Sequence, residues 1–143
     1  MKHSLLFAVA LSFVLAANAQ VADILGDWLT VDDKTGDSFS VVNIYKDSDG
    51  KYYGKIAKML VGNENELCVE CVGEDHNKPL TGLVIIRGMT EKNGELVGGK
   101  VLDPESGKFY YGKIYLKNGN LVLRGSLDRM GVLGRSQTWK RKK

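Results

Sequence analysis

The sequence predicts an all-β protein: a single domain folded as an eight-stranded antiparallel up-and-down barrel. Eight segments alternate in side-chain character with the period of two that is typical of a β-strand. Short turns rich in Gly, Asn and Asp join most of them, and no segment has convincing helical spacing of apolar residues. Closing such strands into a barrel removes the exposed edges that an open sheet would leave. A two-sheet sandwich is the alternative architecture.

The first half of the chain contains four of the predicted strands. Polar turns at 32–36 and 47–50 separate the first three, and a long polar connection at 61–80 precedes the fourth. The Asp-Ser-Asp-Gly run at 47–50 predicts a hairpin, because Asp and Gly favour tight turns. These four strands are predicted at 27–31, 38–46, 51–60 and 82–89.

The second half is organised around residues 98–125, which contain the end of one strand, a whole strand and most of a third. Pro-Glu-Ser-Gly at 104–107 and Lys-Asn-Gly-Asn at 117–120 are the two turns between them. Proline presets φ in the first turn, and glycine supplies a positive φ in both. This meander supplies the sixth and seventh strands. The fifth is predicted at 95–102, and the eighth at 135–141 after a loop at 128–134.

Residues 1–19 have the features of a secretory signal peptide. Lys2 is the basic start, 5–16 is the apolar run, and Ala17 and Ala19 form a cleavage site before Gln20. The apolar run is too short to span a bilayer. We therefore expect an exported protein, periplasmic or secreted, with a barrel domain at 20–143 and no membrane span. Loss of Lys2 lowers the formal net charge from +3 to +2, too little to predict a nucleic-acid partner.

The tripeptide Gly26-Asp27-Trp28 resembles the first-strand motif of lipocalins and their calycin relatives. In those proteins the Trp closes one end of the barrel, and an Arg late in the chain packs over it. In a closed antiparallel barrel the end of the last strand lies beside the start of the first, which places Arg141 near Trp28. The resemblance therefore implies that Trp28 and Arg141 close the barrel, with a stacking contribution of roughly 0.5–2 kcal/mol.

A longer ordered set of motifs resembles one exported bacterial family. The set begins with GDWLT at 26–30, CxxCxG at 68–73 and KPLTGL at 78–83. It continues with LDP at 102–104, GK at 107–108, Tyr110 and RG at 124–125, and it ends with QTWKR at 137–141. In this order the motifs are similar to the family catalogued as domain of unknown function 2147. The resemblance spans nearly all of residues 20–143. It implies a small, exported, lipocalin-like barrel, and it brings no activity or catalytic residue with it.

The pair Cys68 and Cys71 is the sharpest local feature of the chain. In an exported protein two cysteines most simply form a disulfide, which here would pin the long connection at 61–80. One alternative is a zinc or copper site that adds His76 and either Glu74 or Asp75. The other is a redox centre, which requires a helix N-terminus behind the first cysteine.

The sequence contains no assembled catalytic site, so we expect a binding or interaction protein more than an enzyme. It has no G-x-S-x-G, no P-loop and no H-E-x-x-H motif. His76 is the only histidine after residue 19 and has no evident nucleophile beside it. The five acids at 64–75 do not have the spacing of an EF-hand, and no cofactor is predicted.

The barrel interior is predicted to bind a small apolar or amphipathic ligand. Eight strands leave room either for packed side chains or for one small ligand. The side chains assigned to the inward face are mostly medium-sized and aliphatic, with glycine gaps at 88, 99, 112 and 125. We therefore expect an elongated apolar cavity that opens at one barrel end. A one-residue slip would exchange the two faces, and a solid barrel that acts through surface protein–protein contacts is the alternative. The predicted lining residues are Val84, Ile86, Val97, Val101, Tyr110, Ile114, Leu121 and Leu123.

Overall fold

The computed structural model describes residues 8–12 and 20–143, in which eight antiparallel strands form one closed barrel. Each strand pairs with the next one in the chain, and the first also pairs with the last. The predicted up-and-down barrel is confirmed, and the sandwich alternative is wrong. The strands are β1 (Gly26–Val31), β2 (Ser38–Lys46), β3 (Tyr52–Met59), β4 (Val84–Lys92), β5 (Glu95–Asp103), β6 (Lys108–Lys117), β7 (Asn120–Ser126) and β8 (Gly134–Arg141).

A short helix, α1 (Val21–Ile24), precedes the barrel and was missing from the predicted elements. Its four residues are too few to show a helical period in the sequence. A single 3₁₀ turn, Gly73–Asp75, lies within the long β3–β4 connection. No helix in the described part of the chain has the length and apolar character needed to cross a membrane. The predicted signal peptide falls largely outside the described residues, so its cleavage stays a prediction.

The connections give the barrel two different ends. Three tight hairpins, which join β2–β3, β4–β5 and β6–β7, lie at the end where β1 begins, which we call the closed end. Two of these hairpins use Asn-Gly, with Asn93 and Asn118 at a φ of 53° and Gly94 and Gly119 at 78°. These values are typical of the type I′ turn, whose twist matches that of the two strands. The other four connections lie at the opposite end, which we call the open end.

The closed end is covered by α1 and by a stacked pair, Trp28 and Arg141. The Arg141 guanidinium carbon lies 3.9 Å from the centroid of the Trp28 ring. Arg141 also donates hydrogen bonds to the carbonyl oxygens of Asp23 and of Leu25, the latter at 2.8 Å. The Trp28 indole Nε1 donates to the Ile24 carbonyl oxygen at 2.7 Å. The end of β8, the start of β1 and the helix before it are therefore held together at one point.

Candidate ligand site at the open end of the barrel

Solvent exposure along the inward face is lowest in the middle of the barrel and rises toward the open end; at the closed end Leu116 is also partly exposed. Ile114 and Leu121, near the closed end, are 0% exposed. Leu123 and Val101, one layer nearer the open end, are 6% and 9% exposed. Tyr110, which lies opposite Val101 and on the same face of β6 as Ile114, is partly exposed. The middle of the barrel is therefore packed, and its open end borders solvent.

From Trp139 toward the open end, strand β8 becomes more exposed in the same way and adds polar groups. Trp139 is buried, Gln137 is partly exposed, and Arg135 at the start of the strand is exposed. The Trp139 Nε1 donates a hydrogen bond to the Gln137 Oε1 at 3.2 Å, which holds the amide at the open end. Counting back by two from Trp139 identifies Gln137 and Arg135 as inward positions, but neither was predicted as a site residue. Val101 thus pairs with Tyr110 and Leu123 with Gln137, which places a phenol and an amide beside apolar side chains at the open end.

Two of the four gaps expected at inward glycines, those at Gly99 and Gly112, are filled, whereas a Cβ added to Gly88 has no atom within 4 Å. A Cβ added to Gly99 would lie 2.5 Å from the Met89 Sδ, and one added to Gly112 would lie 3.3 Å from the same atom. A Cβ on Gly54 would lie 2.7 Å from the Cδ1 of Ile86. Met89 is 0% exposed, so its flexible side chain occupies this space. Because a side chain with no exposed surface borders no water-sized space, no elongated cavity among the described residues passes Met89 through the middle of the barrel. A hollow of about 840 Å³ that borders α1, Tyr52 and Leu116 lies at the closed end.

Six of the eight residues predicted to line a cavity lie on the barrel interior, but only the outermost of them meet solvent. Tyr110 is the most exposed of the six, and the other five belong to one buried core cluster. Gln137 and Arg135 share the open end with Tyr110. The five core residues are Ile86, Val101, Ile114, Leu121 and Leu123.

The other two predicted lining residues, Val84 and Val97, lie outside the core cluster and are partly exposed. At Val97 the cause is a register shift at Gly98, whose φ is 77°; this shift places Leu96 opposite Ile114 and makes Leu96 the buried residue. At Val84 the register between β3 and β4 shifts, so that Val84 pairs with an exposed lysine. A bulge changes the face that follows it, and simple alternation misses this.

The predicted disulfide between Cys68 and Cys71 is present, with a Cα–Cα distance of 5.4 Å. Both cysteines are almost fully buried and belong to the same core cluster as Leu102 on β5. Backbone hydrogen bonds tie Cys68 to the chain beyond the disulfide, from its own N to the Lys78 oxygen at 2.7 Å and from the Asn77 N to its oxygen at 2.9 Å. Leu102 follows the inward-facing Val101 on β5 and so faces outward, yet it is buried. The disulfide loop therefore packs against the outside of the barrel at this strand.

The alternative roles proposed for the cysteine loop lack the groups they require. Both sulfurs are in the disulfide, so neither is a thiolate that could bind a metal. The Nδ1 of His76 is hydrogen-bonded to the Cys71 carbonyl oxygen at 2.9 Å. No group of three or more His, Cys, Asp or Glu side chains in the described part of the chain is arranged to hold a metal ion. Only the 3₁₀ turn at 73–75 follows Cys71, so no helix begins behind the cysteines as a redox centre would need.

Comparison with known proteins agrees with this architecture. The chain matches the family described as "Uncharacterized protein conserved in bacteria (DUF2147)" over residues 26–141. Among solved structures it is similar to protein HP1028 from Helicobacter pylori, which is described as belonging to the lipocalin family. The sequence identity is 23% and the TM-score 0.73, over 83% of this chain and 82% of that one. No curated protein sequence matches the chain. At this identity the likeness shows a shared fold.

Proposed function

Because this chain belongs to the DUF2147 family and folds as a lipocalin-like barrel, we propose that it is an exported binding protein. Its ligand is a small amphipathic molecule that enters the open end of the barrel. The observation that supports the proposal is the rise in exposure from the packed middle of the barrel, where Ile114 is 0% exposed, to the open end, where Tyr110 is partly exposed. We call the open end with Tyr110, Gln137 and Arg135 the mouth, and we propose that the ligand enters there.

The packed middle of the barrel limits the size and the chemistry of the ligand. An apolar group of the ligand would rest on Val101 and Leu123, and its polar group would meet Tyr110, Gln137 or Arg135. Ligand sites commonly combine an apolar wall with a few oriented polar groups in this way. A long acyl chain would need the space that Met89 occupies. The expected ligand is therefore short or compact, with one acidic or hydrogen-bonding group.

The disulfide supports the proposed export. Disulfides persist in oxidising compartments such as the periplasm and are rare in the cytosol. Cys68 and Cys71 are buried as a bonded pair, which fits the signal peptide predicted at 1–19. We expect N-terminal sequencing of material recovered from the periplasm or medium to begin at or near Gln20. Retention of Met1 in that material would contradict the proposal of a cleaved signal peptide.

A tryptophan at position 137 is expected to block the mouth. The wild-type protein should bind an environment-sensitive naphthalene dye saturably, and Gln137→Trp should weaken this binding at least tenfold, since the larger ring occupies the inward face. The matched control is Thr138→Trp, which places the same ring on the exposed outward face of the same strand. Its dye affinity should equal that of the wild type. The measurement is a fluorescence titration, with the thermal melt of each variant recorded alongside.

Two outcomes would overturn the mouth as the binding site. If the two tryptophan variants weaken dye binding equally, the dye binds elsewhere. If the wild type binds no dye saturably and organic extraction of the purified protein yields no small molecule, the protein acts through its surface. The packed middle of the barrel is the observation that favours this second candidate function, a barrel that binds a protein partner through its surface.

A further inference from the structure

The β7–β8 connection, residues 127–133, folds back on the outer face of the barrel and is held by its own hydrogen bonds. The Asp128 carboxylate accepts from the backbone N of Leu133 at 2.7 Å and of Val132 at 3.0 Å. These amide hydrogens lower the pKa of Asp128 below its ordinary value. The Arg124 side chain donates to the carbonyl oxygen of Gly131 at 2.9 Å. The connection is therefore a preformed structure whose one carboxylate is used internally.

A hollow of about 200 Å³ lies beneath this connection, on the outer face of β5, β6 and β7. We call it the Tyr111 hollow. None of the residues that line it is acidic, and three of them are cationic. A fourth cation, Lys100, sits opposite Tyr111 on β5, with its Nζ 5.4 Å from the Tyr111 ring centroid. The principal lining side chains are Tyr111, Lys113, Arg124, Ser126, Arg129 and Met130.

Most of this positive charge has no acidic partner. Three ion pairs occur within residues 8–12 and 20–143, and Lys100, Arg124 and Arg129 take part in none of them. Only Lys113 is paired, with Glu95 at 3.4 Å on the exposed side. The Arg129 guanidinium, at the Tyr111 hydroxyl, lowers the pKa of Tyr111, and the charge of Lys100 lowers it further. Nearby positive charge lowers the pKa of a phenol because it favours the ionised form.

We propose that the Tyr111 hollow binds a phosphate group. Arginine guanidinium groups present paired N–H donors that match the oxygens of phosphate, and their charge-assisted hydrogen bonds are the strong ones. Arg129 and Lys100 are the free cations, the Tyr111 hydroxyl is a further donor, and Arg124 adds charge while it holds the loop. The hollow is separate from the mouth, so this proposal does not depend on the proposed function.

The residues around the hollow indicate which class of molecule carries the phosphate group. Four large apolar side chains of the same connection point into solvent: Leu127 is 69% exposed, Met130 88%, Val132 73% and Leu133 64%. Exposed apolar side chains next to a cationic site are suited to a lipid headgroup, whose phosphate lies beside apolar chains. A free phosphate or a soluble phosphate ester offers the same chemistry without the apolar part. The experiment below separates these two sources.

Titration of the full-length barrel domain with inorganic phosphate at low salt tests the site. We expect one saturable site, seen by calorimetry and by line broadening in the phosphorus NMR spectrum. The double variant Arg129→Gln with Lys100→Gln should weaken binding at least tenfold, and the melting temperature verifies that it folds. The control, Lys51→Gln with Lys58→Gln, removes the same two charges from exposed positions on and beside β3. It should bind phosphate as the wild type does.

Vesicles of phosphatidylcholine with and without phosphatidylglycerol form the second arm. If the source is a lipid headgroup, the protein should co-sediment with the anionic vesicles, and Val132→Ser with Leu133→Ser, two exposed residues outside the lining of the hollow, should abolish this while leaving inorganic phosphate binding intact. Phosphate binding without vesicle binding supports the same site with a soluble phosphate ester as its ligand. Equal loss in the control and the site variants would show diffuse electrostatics and overturn the proposal. Binding of neither phosphate nor vesicles by the wild type would overturn it as well.

Discussion

Replacing Trp28 with alanine is expected to lower the free energy of unfolding by about 3 to 5 kcal/mol, the usual cost of truncating a buried tryptophan. The side chain is 1% exposed and carries both the Arg141 stack and the hydrogen bond to Ile24. Because small domains are stable by only about 5–15 kcal/mol, the melting temperature should fall by roughly 10 to 20 °C. Chemical denaturation followed by circular dichroism measures the change.

Two further variants test whether the loss of stability is specific to the buried Trp28 ring and to its stack with Arg141. Phe109→Ala truncates an aromatic side chain that is 39% exposed, and it should cost less than about 1 kcal/mol. Arg141→Lys keeps the charge but loses the planar stack and the paired hydrogen bonds, so it should cost about 1–2 kcal/mol. If Arg141→Lys and Arg141→Ala both leave the melting temperature unchanged, the pair does not stabilise the closed end.

Local patterns predicted much of the fold because the barrel is built from neighbours in the chain. The Asn-Gly turns and the alternation of side chains identify the hairpins without any long-range information. One long-range contact also followed, because a closed barrel must bring its last strand beside its first. That rule places Arg141 opposite Trp28, the register found in the structure.

The contacts that decide the candidate site depend on distances that the sequence does not contain. The bulge at Gly98 exchanges Val97 for Leu96 on the inward face, and nothing in the local pattern distinguishes this glycine from its neighbour Gly99. Met89 fills the space beside Gly99 from another strand. Simple alternation therefore predicted a hollow barrel where the structure is packed.

The Tyr111 hollow could not be predicted from the sequence either. Lys100, Arg124 and Arg129 lie on β5, on β7 and in the β7–β8 connection, so their charges meet only after the strands have paired. The loop at 128–134 was predicted only as a loop. Its shape comes from hydrogen bonds between the side chains of Asp128 and Arg124 and backbone groups of the connection. A sequence pattern does not reveal these hydrogen bonds.

Gly107→Ala is expected to destabilise the protein by about 2 to 5 kcal/mol, although it adds one methyl group to a turn. Gly107 has a φ of 72°, where a Cβ costs about 1–2 kcal/mol. The added Cβ would also lie against the Glu70 carbonyl oxygen, with the carbonyl carbon at 2.7 Å and the Cys71 N at 3.2 Å. These are backbone atoms of the buried disulfide loop, so relief of the overlap requires the loop to move, at a further cost of about 1–3 kcal/mol.

The matched control for Gly107→Ala is Gly119→Ala, which has a similar φ of 78° and no atom within 4 Å of the added Cβ. It should show only the backbone strain, so the difference between the two variants measures the contact of the β5–β6 turn with the disulfide loop. The loop itself gives a second readout: in Gly107→Ala the Cys68–Cys71 bond should be reduced faster by dithiothreitol, since displacement exposes sulfurs that are now buried. If the two variants have equal stability and equal reduction rates, the disulfide loop moves without lowering the free energy of unfolding. Its packing against Leu102 then does not stabilise the barrel.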